Sequence, residues 1–220
     1  MKKLSSLVVI ALLALLPLTV NACPIVETIL ETAPLGTTNG GDTICDTQFL
    51  GARFSLTEKY LITGVGGHVK SNGPDNDRSI FVAIVPTIGP DYFPSDTSLS
   101  DAIFATLFEA PFNNVGPYPY QVDETIIQTN FILGPGSYAI VFGSGLFGAT
   151  GRGWMPVSGP TQELPWSFLK NEYTGGYFMN VNKQPTRFVV EGTPVPEPAT
   201  MLLLASGLVG LAGLRRRFRK

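Results

Sequence analysis

The chain predicts an all-β fold, a jelly-roll-like sandwich of two sheets, and three observations carry that prediction. Its 24 glycines and 18 prolines are spread along the length rather than gathered in one linker. Long apolar patterns with a helical period are absent from the interior of the chain. Short apolar or alternating runs recur instead between turn signals, at roughly the 8–12-residue spacing of an all-β sandwich. With the two ends set aside about 170 residues remain, enough for one domain with its own core. A β-barrel enclosing a cavity is the alternative, since pattern alone does not separate closed sheets from open ones.

The first element is not part of the fold. Lys2 and Lys3 precede an apolar run over residues 4–16, Pro17 ends it, and Val20-Asn21-Ala22 places small or aliphatic residues before a cleavage point. That order reads as a secretory signal peptide over residues 1–22, cut between Ala22 and Cys23. Val20-Asn21-Ala22-Cys23 also approximates a lipobox, in which Cys23 carries lipid. The other reading leaves Cys23 to pair with Cys45, because two cysteines in an exported chain favour a disulfide. Both readings stay open.

Residues 23–46 are polar and turn-rich, with a loop at Thr37-Thr38-Asn39-Gly40-Gly41. The sandwich domain is expected over residues 47–192. Residues 49–56 alternate loosely, and residues 60–70 carry Tyr60, Ile62, Val65 and Val69 between glycines. Residues 71–77 form a turn. Residues 79–86 are β-branched and continuous, as expected for a buried strand. Residues 90–100 are a loop, where Asp96 is expected to be dispensable. Residues 102–108 fit a strand or a short helix, and residues 112–121 are irregular around Pro117 and Pro119.

Residues 124–133 then alternate, and Gly134-Pro135-Gly136 turns them into residues 137–143, which predicts a hairpin. A glycine-rich loop leads to Trp154. A further strand pair is expected near residues 166–169 and 177–180, and a last strand over residues 186–191. Residues 192–198 read as an extended, exposed proline-rich spacer.

The C-terminal segment, residues 193–220, has an order of its own. Pro196-Glu197-Pro198 comes first, then an apolar run over residues 201–214, then Arg215, Arg216 and Arg217, with Arg219 and Lys220 at the end. This order resembles the PEP-CTERM sorting signal of Gram-negative bacteria. The resemblance implies an exported protein held for a time in the inner membrane and processed by an exosortase, a membrane-embedded protease-transpeptidase. It assigns the recognised triplet to Pro196, Glu197 and Pro198, and the basic cluster to Arg215, Arg216 and Arg217. The physics agrees. Residues 201–214 rise about 21 Å as a helix, short of a hydrocarbon core of roughly 30 Å, so a full crossing takes residues 199–214. The arginines hold the C-terminus in the cytoplasm.

A second resemblance covers about half of the exported part. Phe54, Leu56, Tyr60, Ile62, Thr63 and Val65, then Leu133, Gly136, Tyr138, Ile140 and Val141, are similar to the strand pattern of choice-of-anchor-like sandwich domains in C-terminally sorted bacterial proteins. These are packing and turn residues, so the likeness implies a fold and no chemistry.

Charge narrows the partners. Seven of the 15 basic residues lie in the two terminal targeting segments, so between Cys23 and Pro198 the 17 acidic residues outnumber the remaining eight basic ones by nine. Such a domain has no electrostatic footprint for nucleic acid. His68 is the only histidine, which excludes multi-histidine metal sites, and no G-x-S-x-G elbow accompanies it. His68 is therefore expected to be structural. Asp75-Asn76-Asp77 with Asn72 could ligate calcium, but turn chemistry explains them without a metal. Tyr118, Tyr120, Trp154 and Trp166 are candidates for stacking on sugar rings, against the plainer reading that they pack the core.

The expectation is thus a non-enzymatic exported protein without a cofactor, sorted by an exosortase to the cell surface or exopolysaccharide matrix. Its role there would be structural or carbohydrate-adhesive. A surface polysaccharide hydrolase with a carboxylate pair and a membrane-tethered lipoprotein are the alternatives. Asp123 and Glu124 are poor candidates for such a pair, because neighbours on a strand point to opposite faces.

Overall fold

Continuous apolar runs and alternating runs give different strands here, and the computed structural model shows why. It describes residues 26–32, 41–71, 78–111, 124–157, 167–171, 176–179, 186–196 and 206–208. The strands among them, in chain order, are β1 (Glu27–Glu31), β2 (Gly41–Ile44), β3 (Gln48–Leu56), β4 (Tyr60–His68), β5 (Lys70–Ser71), β6 (Ser79–Thr87) and β7 (Phe104–Glu109). They continue with β8 (Glu124–Leu133), β9 (Gly136–Gly143), β10 (Gly153–Pro156), β11 (Ser167–Asn171), β12 (Gly176–Met179) and β13 (Phe188–Pro194). The fold is all-β and antiparallel. A six-stranded sheet runs β12-β11-β3-β9-β6-β7, a four-stranded sheet runs β1-β13-β4-β8, and a small third sheet runs β2-β10-β5.

One core lies between the two larger sheets. Leu50, Ala52, Phe54 and Leu56 of β3, Ile80, Val82 and Ile84 of β6, and Ile140 and Phe142 of β9 meet Ile62 and Val65 of β4 and Phe188 and Val190 of β13. The period of two along each strand selects these residues, except in β4, where an irregularity after Ile62 brings Val65 to the same face. The opposite residues of β6 are apolar for a different reason. Phe81, Ala83 and Val85 form a second cluster with Phe49, Ala139, Val141, Leu99 and Ala149, so loops cover the outer face of the six-stranded sheet. That is why residues 79–86 show no alternation.

The predicted hairpin at Gly134-Pro135 is not one. β8 pairs with β4, and β9 pairs with β3 and β6, so the turn carries the chain from one sheet to the other. The connection from β3 to β4 does the same, and the two corners stack, with Tyr60 opposite Leu133 and Leu56 opposite Gly136. Neither Gly134 nor Pro135 takes the positive φ that two-residue hairpin turns require. Tyr138 completes the corner by donating its hydroxyl to the Gly134 carbonyl at 2.9 Å.

Other expectations shift as well. Six strands against four, with a third sheet, depart from the eight-strand jelly roll, because the hairpins β6–β7 and β11–β12 widen one sheet. Residues 23–46 contain β1 and β2, and the compact unit runs Val26–Pro194. β1 is polar because it is an edge strand, paired only with β13 among the described residues. The run expected over residues 102–108 is a strand rather than a helix, and it begins at Phe104. The last strand reaches Pro194, past the Glu191 expected from its apolar run. Gly192 and Thr193 pair with Ile62 and Leu61, and Pro194 is tolerated because it sits at the strand end.

Gly66 and Gly67 fall where backbones crowd. A Cβ at Gly66 would collide with the Thr125 carbonyl, and one at Gly67 with the Arg187 carbonyl. Glycine there lets β4 lie between β8 and β13.

Candidate functional site

Two regions bear on function: the point where the chain leaves the four-stranded sheet, and the covered outer face of the six-stranded sheet. At the first, Gly192 and Thr193 are buried, Val195 is half-buried and Pro196 is exposed. The spacer therefore begins at Val195 rather than Gly192, and one residue separates the last strand from the Pro196 triplet. Glu197, Pro198, Arg215, Arg216 and Arg217 lie outside the described residues, as do Ala22, Cys23 and the signal peptide. Of the expected membrane segment 199–214, Ser206, Gly207 and Leu208 form a helical turn. No helix among the described residues is long and apolar enough to cross a membrane. Cys45 forms no disulfide among the described residues; its Sγ lies 3.2 Å from Thr47 Oγ1.

A charged cluster closes the other end of β13. Arg187 Nε donates to Glu124 at 2.6 Å, and its Nη1 donates to Glu31 at 2.6 Å. The arginine side chain is 8% exposed, Glu124 25% and Glu31 48%, so one guanidinium ties β1 and β8 to the approach of β13. Burial pulls the Arg187 pKa down, but hydrogen bonds and charge from the two carboxylates outweigh it and leave a net rise. His68 sits beside this cluster, buried, opposite Glu124 in the sheet and donating its backbone N–H to the Arg187 carbonyl at 3.1 Å. Sequence reading passed over Glu31 and Arg187. The only signal was a charge inside an otherwise apolar C-terminal run.

Among the aromatic candidates, Tyr118, Tyr120 and Trp166 lie outside the described residues. Trp154 is half-buried in β10, between β2 and β5. The Lys70 ammonium stands over its ring at 4.7 Å, and the indole presses so close to Gly41 that a Cβ there would overlap it. Its ring is thus engaged in packing the small sheet, and burial lowers the Lys70 pKa. Asn72 and Asp75-Asn76-Asp77 also lie outside the described residues.

The outer face of the six-stranded sheet holds a buried arginine that the sequence did not single out. Arg53 of β3 is 6% exposed, with its guanidinium carbon 5.4 Å from the centre of the Phe93 ring. Phe93 stacks on Tyr177 at 6.0 Å. Burial lowers the Arg53 pKa while the nearby Asp91 charge opposes the shift. Tyr177 donates its hydroxyl to the Asp96 carbonyl at 3.1 Å, and its pKa is driven up by burial, then by Asp96 and Asp101.

Asp96 is not the idle loop residue expected. Its carboxylate accepts from the Ser98 backbone N–H at 2.7 Å, the Ser98 hydroxyl at 2.6 Å and the Ser100 hydroxyl at 2.8 Å. These bonds, Ser98 first, hold its pKa at about 2. They shape the loop that seats Leu99, at φ 52° and fully buried, against the second core.

Comparison with curated proteins finds no match. The C-terminal segment, however, matches a described family over residues 194–217, beginning at the residue where β13 ends. This chain therefore carries a PEP-CTERM protein-sorting motif, the mark of an exported protein that passes through a membrane-anchored intermediate and is processed by an exosortase.

Proposed function

We propose that the chain is a non-enzymatic component of the cell surface or exopolysaccharide matrix, with a structural or carbohydrate-adhesive role. The observation that carries this reading is the place of the sorting motif, which follows the last strand of the sandwich directly. The sandwich is then the delivered cargo. The Arg187 cluster supports the non-enzymatic part. Glu31 and Glu124 are the carboxylates that this fold brings together there, and Arg187 bonds to both. A glycosidase pair needs a sugar between its carboxylates and one of them protonated. Here the arginine fills that space, bonded to both carboxylates at 2.6 Å.

The test incubates the intact protein with neutral and acidic polysaccharides. Retention without new reducing ends is the expected result. Release of reducing ends would replace this reading with a hydrolase, and a diacylated Cys23 in the intact mass would replace it with a tethered lipoprotein.

A further inference from the structure

Arg53 is the buried charge that the fold does not explain. It is 6% exposed, and no carboxylate among the described residues forms an ion pair with it. Its Nε is sealed from solvent without a hydrogen-bond partner, while the two terminal nitrogens are not among the sealed atoms. Taking a guanidinium out of water is unfavourable, and the nearby Asp91 charge and one cation–π contact with Phe93 offset only part of that. A buried polar group left unsatisfied in this way calls for an explanation.

The surroundings supply one. Phe54 and Leu56 face the core between the sheets, so Arg53 and Ser55 share the outer face. Ser55 lies opposite Ser137 of β9 on that face, their hydroxyls 3.1 Å apart and exposed. The loop after β6 brings Phe93 over Arg53 and Asp91 close enough to act on it, and between them it carries Tyr92, 58% exposed. A planar guanidinium fork and a pair of exposed hydroxyls bonded to each other stand two positions apart on one face of β3, and the loop that covers the guanidinium carries an exposed tyrosine.

The geometry points to Arg53 as the receptor for the carboxylate of a uronic acid within an acidic polysaccharide. The guanidinium fork matches a carboxylate in two parallel hydrogen bonds. Ser55 and Ser137 take the sugar hydroxyls, and the Tyr92 ring takes an apolar sugar face. This inference rests on the carbohydrate-adhesive reading above and names its ligand class. Asp91 sets the selectivity: its charge stands against any anion that does not reach the guanidinium.

The experiment compares oligogalacturonate, its methyl ester and a neutral glucan of equal length on the intact protein, by calorimetry. Binding of the acid at least roughly tenfold tighter than the ester is expected, the scale of one charged hydrogen-bond pair, and Arg53→Gln should remove that difference. To separate loss of binding from loss of folding in Arg53→Gln, the wild-type protein is also labelled with phenylglyoxal and mapped. Oligogalacturonate should slow modification of Arg53, and the neutral glucan should not. Equal binding of acid and ester, or equal labelling of Arg53 with and without oligogalacturonate, overturns the uronate site and leaves the adhesive reading standing on the glucan. Binding of none of the three overturns both.

Discussion

Removing Arg187 tests whether the four-stranded sheet is held by charge as well as by its core. The variant is Arg187→Met, which keeps most of the side-chain volume and deletes two charged hydrogen bonds of 2.6 Å. Breaking a fully buried pair by removing one partner costs about 3–5 kcal/mol. Here the carboxylates left behind are 25% and 48% exposed, so water recovers part of that, and roughly 2–3 kcal/mol is the expected loss. With a urea m-value of about 2 kcal/mol/M, the unfolding midpoint should fall by about 1–1.5 M. Adding Glu124→Gln to the same chain removes the more buried stranded charge and should recover part of the loss. Urea unfolding followed by far-ultraviolet dichroism measures both. A single variant within about 0.5 kcal/mol of the wild type, the range of an ordinary surface change, would refute the clasp.

Three further outcomes follow from named positions. Ile84→Ala, fully buried in the centre of β6, should lose about 2–5 kcal/mol; Leu107→Ala on the neighbouring strand, 44% exposed, should lose far less, and equal urea midpoints for the two would contradict the core assignment. Asp96, with its folded pKa depressed to about 2, contributes stability that is present above its unfolded value of about 3.9 and is lost as pH falls through the folded pKa. Between those limits Asp96→Asn should therefore show a flatter decline in stability than the wild type, and an unchanged pH slope would sink the idea. Glu197→Ala should leave export intact and trap the full-length chain in the inner membrane, because Glu197 is the charged residue between the two prolines of the triplet; release at the wild-type level, read by fractionation and immunoblot, counts against it.

What could be read from the sequence was local. The unbroken run from Ser79 to Pro86 announced a buried strand, and β6 is one; that both its faces are covered came from the tertiary structure. The alternation of residues 124–133 located β8 to the residue. The Pro196 triplet, the apolar run and the arginines identified the sorting motif, because each is a contiguous chemical pattern. The all-β class followed from the spacing of turn signals along the whole chain.

What the sequence left open depends on residues far apart in it. Gly134-Pro135 reads as a hairpin turn, yet only the backbone dihedrals and the competing partners β3 and β4 decide that it joins two sheets. Thr28 and Leu30 become strand residues because β13 offers an edge to pair with, not because their own stretch is apolar. Arg187, Glu31 and Glu124 form one cluster although Glu31 lies 156 residues from Arg187. Arg53 is buried by a loop that begins beyond β6, and its own neighbours say nothing of that cover. Side-chain periodicity records which face of a strand is apolar, and the tertiary structure alone decides which strand, loop or charge meets that face.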